Sequence, residues 1–169
     1  LIMAHKNTNS QIDLLLRVLD DAYGGKGWHG PTLRASVRTV PLVQALWRPA
    51  PNRHNIAEIT LHAAYWKYTV RRRLRGEKRG SFPLKGSNWF KLPAGLTESD
   101  WKGHRRLLDE QHQALIEAVR EFPADRLRKP TPGSRLDSAK VIYGIAAHDV
   151  YHTGQIRLLK ALQATRLLR

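Results

Sequence analysis

Four stretches of the chain repeat apolar residues at intervals of three and four, and this period constrains the fold more than any other feature of the sequence. An α-helix brings such residues onto one face, so each stretch predicts a helix with one side to bury. The first covers residues 10–23. Ile12, Leu15, Leu16 and Leu19 form its stripe, Ser10 can cap it, and Gly24 with Gly25 stop it. The second begins at Asn55, which with Glu58 resembles a capping box, and closes at Gly76. Ile56, Ile59, His62, Ala63, Trp66 and Val70 form its apolar face. The third covers 97–122, where Trp101, Leu108, Leu115 and Phe122 recur every seven residues before Pro123 ends it. The fourth covers 138–162, through Val141, Ile145, His148, His152, Ile156 and Leu159. No stretch reads as a strand. The prediction is an all-α fold: a four-helix bundle with long inter-helix loops, one domain over residues 1–169.

The connections are rich in turn formers. Between 26 and 51, Gly30 and Pro31 precede a short helical pattern at 32–37, and Pro41, Pro49 and Pro51 prevent a long helix. Residues 77–96 form a long loop holding Gly80, Pro83, Gly86, Pro93 and Gly95. Loops of this length in a compact domain often serve as lids or binding loops, and Phe82, Trp89 and Phe90 give this one side chains to pack with.

The chain has no cysteine, which excludes a disulfide scaffold, a thiolate metal site and a cysteine nucleophile. That fits a reducing compartment. With no long apolar run and no signal-peptide pattern in LIMAHKNTNS, the expectation is a soluble, cytoplasmic protein with no membrane partner. Lysine and arginine total 29 against 14 acids, a net +15. Such a surface attracts polyanions, so nucleic acid is a partner to consider, bound weakly and without sequence preference through phosphate contacts. No zinc finger or RNA-binding signature adds to that reading. Arg71, Arg72, Arg73, Arg75, Lys78 and Arg79 crowd the end of the second helix, where cations complement the helix dipole.

Chemistry concentrates in histidines. His148 and His152 form H-x-x-x-H, one turn apart on one helix face, so that two imidazoles can converge on one ion. They share the face of Val141, Ile145, Ile156 and Leu159, and buried imidazoles need either polar partners or a metal. Both readings stand at this point. His62 has the same character on the second helix, between Ile59 and Trp66. Alone it reads as a satisfied core residue; facing the pair across a bundle, it completes a three-nitrogen site with an open position for water or substrate.

The segments RHNIAEITLHAAYWKYTVRRRLRG (Arg53 to Gly76) and IAAHDVYHTGQIRLLK (Ile145 to Lys160) resemble the DinB-like superfamily of four-helix proteins, and the likeness extends to GWHGP (Gly27 to Pro31) and LWRPAP (Leu46 to Pro51). The family's metal motif has one histidine on the second helix and an H-x-x-x-H pair on the fourth, which His62, His148 and His152 match one for one. The resemblance implies one divalent ion, zinc or nickel, on these three residues. It also implies a homodimer. The family includes metal-dependent transferases that add low-molecular-weight thiols to substrates, so a thiol cofactor and a small-molecule substrate follow as expectations. A three-histidine metal can favour a bound thiol as thiolate, or activate water for hydrolysis. The expectation is therefore a metal-dependent enzyme of thiol-transferase or hydrolase type. A non-catalytic metal-binding stress protein and a basic nucleic-acid-binding module are the alternatives.

Other residues invite weighing. Asp149 lies about 100° round the helix from His148 and suits a solvent or capping role, with reach to a neighbouring helix as the alternative. Tyr65, Trp66, Tyr143 and Tyr151 suit aromatic packing or a pocket wall. Gln155 could contact a substrate. His112 reads as a helix-face residue, with a supporting or fourth-ligand role as the alternative, and His5, His29, His54 and His104 read as loop or surface residues.

Overall fold

A computed structural model describes residues 3–166, and the side chains of residues 10–165. Four long helices carry the fold: α1 (Met3–Tyr23), α4 (Ile56–Arg75), α5 (Glu98–Arg120) and α6 (Ser138–Arg166). Two short helices, α2 (Leu33–Arg38) and α3 (Leu42–Leu46), lie between α1 and α4, and a 3₁₀ turn at Ala124–Arg126 precedes α6. Helix α4 packs on α5 and α6, and α1 packs on the same two, closing a ring around the core. No strand forms among the described residues; one isolated bridge joins Pro130 and Asp137. No helix there is long and apolar enough to cross a membrane.

The helix ends follow local chemistry. Asn55 and Glu58 make the reciprocal capping box, with the Asn55 side chain accepting from the Glu58 amide at 2.8 Å. Gly76 ends α4 in the left-handed region at φ 69°, where only glycine sits without strain. Thr97 and Asp100 repeat the capping box on α5, and Thr32 caps α2. One capping expectation changes. Helix α1 begins at Met3, so Ser10 lies inside it and is not its cap: residues 3–9 continue a helical pattern that has no breaker before Ser10. The prolines do keep this stretch free of a long helix, as expected: α3 has five residues, with Pro41 at its entry, where a missing N–H costs nothing. Helix α6 runs four residues beyond the expected 138–162.

Two apolar clusters fill the ring. One joins Leu33, Val37, Ile56, Ile59, Trp101, Leu108 and Ile156; the other joins Leu19, Leu115, Val119, Ile142 and Ile145. The heptad residues Trp101, Leu108, Leu115 and Phe122 are all buried, as their spacing predicts. The long loop after α4 packs back on that helix: Phe82 and Phe90 meet the Tyr65 ring edge-on, with centroids 5.3 and 5.6 Å away.

Candidate metal centre and its cleft

Helix α4 carries His62, and α6 carries His148 and His152 one turn apart. The three side chains meet where the two helices pack. His148 Nε2 lies 3.1 Å from His62 Nε2 and 3.0 Å from His152 Nε2, and ligand atoms of all three lie within 4.8 Å of one another. Nitrogens around a tetrahedral zinc, each about 2.0–2.1 Å from it, are separated by about 3.3 Å. The two spacings from His148 come close to that, and the third lies within 4.8 Å.

Proton placement sharpens the fit. His62 Nδ1 donates to the carbonyl of Asn88 at 2.9 Å, and a carbonyl can only accept. His152 Nδ1 lies 2.7 Å from Gln155 Oε1, while Gln155 Nε2 donates to the Tyr151 hydroxyl at 3.0 Å. Burial lowers the pKa of His62 to about 4 and that of His148 to about 3, and it also lowers His152. All three rings are neutral at pH 7, so His62 and His152 both turn a bare Nε2 lone pair toward His148. One N–H on His148 cannot serve both well. A cation satisfies all three nitrogens at once, so the donor set suits a divalent metal that prefers nitrogen. His148 Nδ1 is buried and has no hydrogen-bond partner.

The loop after α4 fixes this geometry. Asn88 is the one non-glycine residue with positive φ, 63°, among the described residues, and asparagine tolerates that region better than most side chains. In this conformation its carbonyl holds His62 and its Oδ1 accepts from Trp66 Nε1 at 2.9 Å. Trp89 then lies between two imidazoles, 3.9 Å from His62 at 11° and 3.5 Å from His54 at 4°. His54 Nδ1 in turn meets Glu58 at 3.0 Å, and Arg48 holds that carboxylate at 2.8 Å. Glu58 is depressed below the usual carboxylate range: the Arg48 and His54 hydrogen bonds and the Asn55 amide outweigh its burial.

A cleft of about 700 Å³ opens onto the three histidines. Trp89, Ile59, Pro49, Leu158 and Leu159 give it apolar walls, and Asn52, Arg53, His54, Tyr151 and Gln155 its polar groups; no carboxylate lines it. Arg53 is its one cationic residue.

The structure brings together His62, His148 and His152; of the others weighed from sequence, Gln155 and Tyr151 line the adjoining cleft and Trp66 packs against the trio. Asp149 takes no solvent or capping role but the alternative, reaching α4: it is fully buried and ion-paired with Lys67, itself fully buried. The core-facing sector of α6 runs through Ile145, Asp149, His152 and Ile156, where α1 and α4 both press on that helix; His152 is buried within it and the half-buried His148 sits at its edge. His112 sits on the core face of α5 beside Leu108 and Leu115 and is no fourth ligand. It is buried, stacks on Tyr23 at 3.8 Å and lies 3.3 Å from Lys67 Nζ, away from the histidine trio. His104 lies on α5 and is half-buried, contrary to a loop or surface reading, whereas His29 is exposed as expected. The His5 side chain falls outside the described residues. Tyr65 packs in the core, Tyr143 is exposed, and Tyr151 lines the cleft. Sequence reasoning gave no role to His54, Asn88 or Arg53. The H-x-x-x-E spacing of His54 and Glu58 was the available signal for the first; nothing in sequence pointed to the others.

The family model described as DinB superfamily matches residues 28–156, a span that contains all three histidines. No curated protein and no solved structure matches the chain.

Proposed function

The chain belongs to the DinB superfamily, and from that premise we propose that His62, His148 and His152 hold one divalent ion, zinc or nickel, in a four-helix-bundle frame. On this reading the protein is a cytoplasmic, metal-dependent enzyme that acts on a small molecule in the adjoining cleft, as a thiol transferase or hydrolase. The observation that carries the proposal is the convergence of three neutral imidazole Nε2 atoms at the floor of that cleft. A bound divalent ion would supply Lewis acidity at its open position, favouring the deprotonated form of a thiol or of water.

The remaining roles fall to the chain's own side chains. His54 is the one base on the cleft wall outside the trio. Its Nδ1 is turned to Glu58, which leaves Nε2 with the lone pair, the arrangement that lets an imidazole accept a proton from a nucleophile. Trp89 fixes the His54 ring by stacking, Arg53 offers charge to an anionic part of the substrate, and Ile59 and Leu159 exclude water from its apolar part. Tyr151, through Gln155, orients His152.

Metal content per chain after dialysis against a mild chelator tests the ligand set. Wild type should retain one ion; His62→Ala, His148→Ala and His152→Ala should each lose it, and His29→Ala should retain it. A wild type that holds no metal when supplied with several, or a His62→Ala variant that keeps its full complement, would overturn the assignment. The metal-loaded protein is then screened for transfer of low-molecular-weight thiols to electrophiles and for hydrolysis.

A further inference from the structure

Metal-binding histidines almost always give their second ring nitrogen to an acceptor, which fixes the ring and raises its basicity. His62 has Asn88 O and His152 has Gln155 Oε1. His148 Nδ1 has none, although it is buried. The same residue also reaches a second cleft, of about 190 Å³, between α4 and the residues that lead into α6. With Nε2 turned to the trio, Nδ1 is left buried and unpartnered in a residue that lines this second cleft, so a ligand atom must part the lining to reach it.

The cleft is cationic without a counter-charge. Arg73 and Lys140 line it with Ser134, and no carboxylate does. Among the arginines that end α4, Arg71 pairs with Glu77, Arg72 donates to the Glu77 carbonyl and Arg75 pairs with Glu121. The Arg73 side chain has no ion pair or hydrogen bond among the described residues; its Nε is buried, as are those of Arg71 and Arg72. The rest of the wall is apolar: Trp66, Val70, Leu136, Val141 and Ile145.

We propose that this second cleft binds a small carboxylic acid with a short apolar tail, its carboxylate held by Arg73 and Lys140 and one oxygen accepting from His148 Nδ1–H. The apolar wall and small volume favour such a tail over a fully hydrated phosphate. The Arg73 and Lys140 contacts stand by themselves; the His148 contact rests on the metal reading. Because an acceptor on Nδ1 strengthens the ligand at Nε2, the acid and the metal each tighten the other's binding, by the reciprocity of linked equilibria.

Sodium butyrate is the probe, titrated into metal-free protein at constant ionic strength and followed by Trp fluorescence and amide NMR shifts. Wild type and Arg75→Met, which removes an equal but already paired charge, should saturate alike. Arg73→Met and Lys140→Met, their folding checked by circular dichroism, should bind about tenfold more weakly or worse, the loss expected for a charge-assisted hydrogen bond. Equal binding by wild type and Arg73→Met, or no saturable binding at all, overturns the site. Inorganic phosphate binding more tightly than butyrate overturns the carboxylic-acid assignment. In a second arm, zinc affinity is measured against a competing chelator with and without butyrate. Saturating butyrate should raise it roughly tenfold in wild type and leave it unchanged in Arg73→Met, which controls for butyrate acting directly on the metal. Butyrate binding with zinc affinity unchanged overturns the His148 contact. A protein that takes butyrate through Arg73 but never holds zinc refutes the metal reading while supporting the Arg73–Lys140 site.

Discussion

Removing the ammonium of Lys67 should be among the most damaging single changes in this protein outside the metal site. Lys67 and Asp149 are both 0% exposed and joined by a direct hydrogen bond between α4 and α6. Burial pushes the lysine pKa down and the aspartate pKa up, and each charge opposes that shift in its partner. Asp149 Oδ1 already lacks a hydrogen bond, so Lys67→Met would strip the carboxylate of its only partner. Breaking a buried pair from one side costs about 3–5 kcal/mol. For a chain of this size each kcal/mol lowers Tm by about 2–4 °C, giving a loss of roughly 6–20 °C. Asp149→Leu should cost a similar amount for the opposite reason. Joined in one chain, the two changes leave no unpaired charge. What remains is His112, whose Nδ1 loses its contact with Lys67 at 3.3 Å, a deficit of about 1–3 kcal/mol. The double variant should therefore be more stable than either single one. Equilibrium urea unfolding of the metal-free protein at pH 7, with all four chains compared, gives the coupling directly. A Lys67→Met loss below about 1 kcal/mol, or a double variant whose loss equals the sum of the singles, would refute the buried-pair argument.

Three further outcomes are expected. Metal-free protein should lose stability as pH falls below about 6.5, because burial holds His62 near 4, His148 near 3 and His112 near 2 while the unfolded chain takes up protons from 6.5 downward. Each such imidazole contributes up to about 1.4 kcal/mol per pH unit within that window; a urea midpoint unchanged between pH 7.5 and pH 5 would contradict this. The exposed apolar line of Tyr143, Val150, Leu158 and Leu162 on α6 is where we expect a homodimer to form; sedimentation should show a dimer that Val150→Glu with Leu162→Glu converts to the 19.3 kDa chain, and wild type sedimenting only at that mass across micromolar concentrations would reject it. Any DNA binding should be weak, indifferent to sequence and lost steeply with salt, as phosphate contacts alone dictate; sequence discrimination at physiological salt would count against that view.

The sequence by itself determined the four long helices, the capping boxes' counterpart at Asn55 and Glu58, the stop at Gly76 and the buried heptad of α5, because each depends on residues at most one or two turns apart. It also singled out His62, His148 and His152, since an i, i+4 pair and a lone imidazole on apolar faces are visible in the period, and the family resemblance joined them. Only the tertiary structure decided what stands around them. Asp149 stands seven residues from both Ile142 and Ile156, so the period already places it on the buried face; what only the fold decided was its partner, the Lys67 ammonium brought against it from α4. Asn88, Trp89 and His54 meet at the trio because a loop of some twenty residues folds back, through contacts 26 residues apart for Asn88 and His62, and no local period encodes a closure of that kind. The unpaired state of Arg73 was equally hidden: four arginines at one helix end look alike in sequence, and three find acceptors only because Glu77 and Glu121 are brought within reach by the fold.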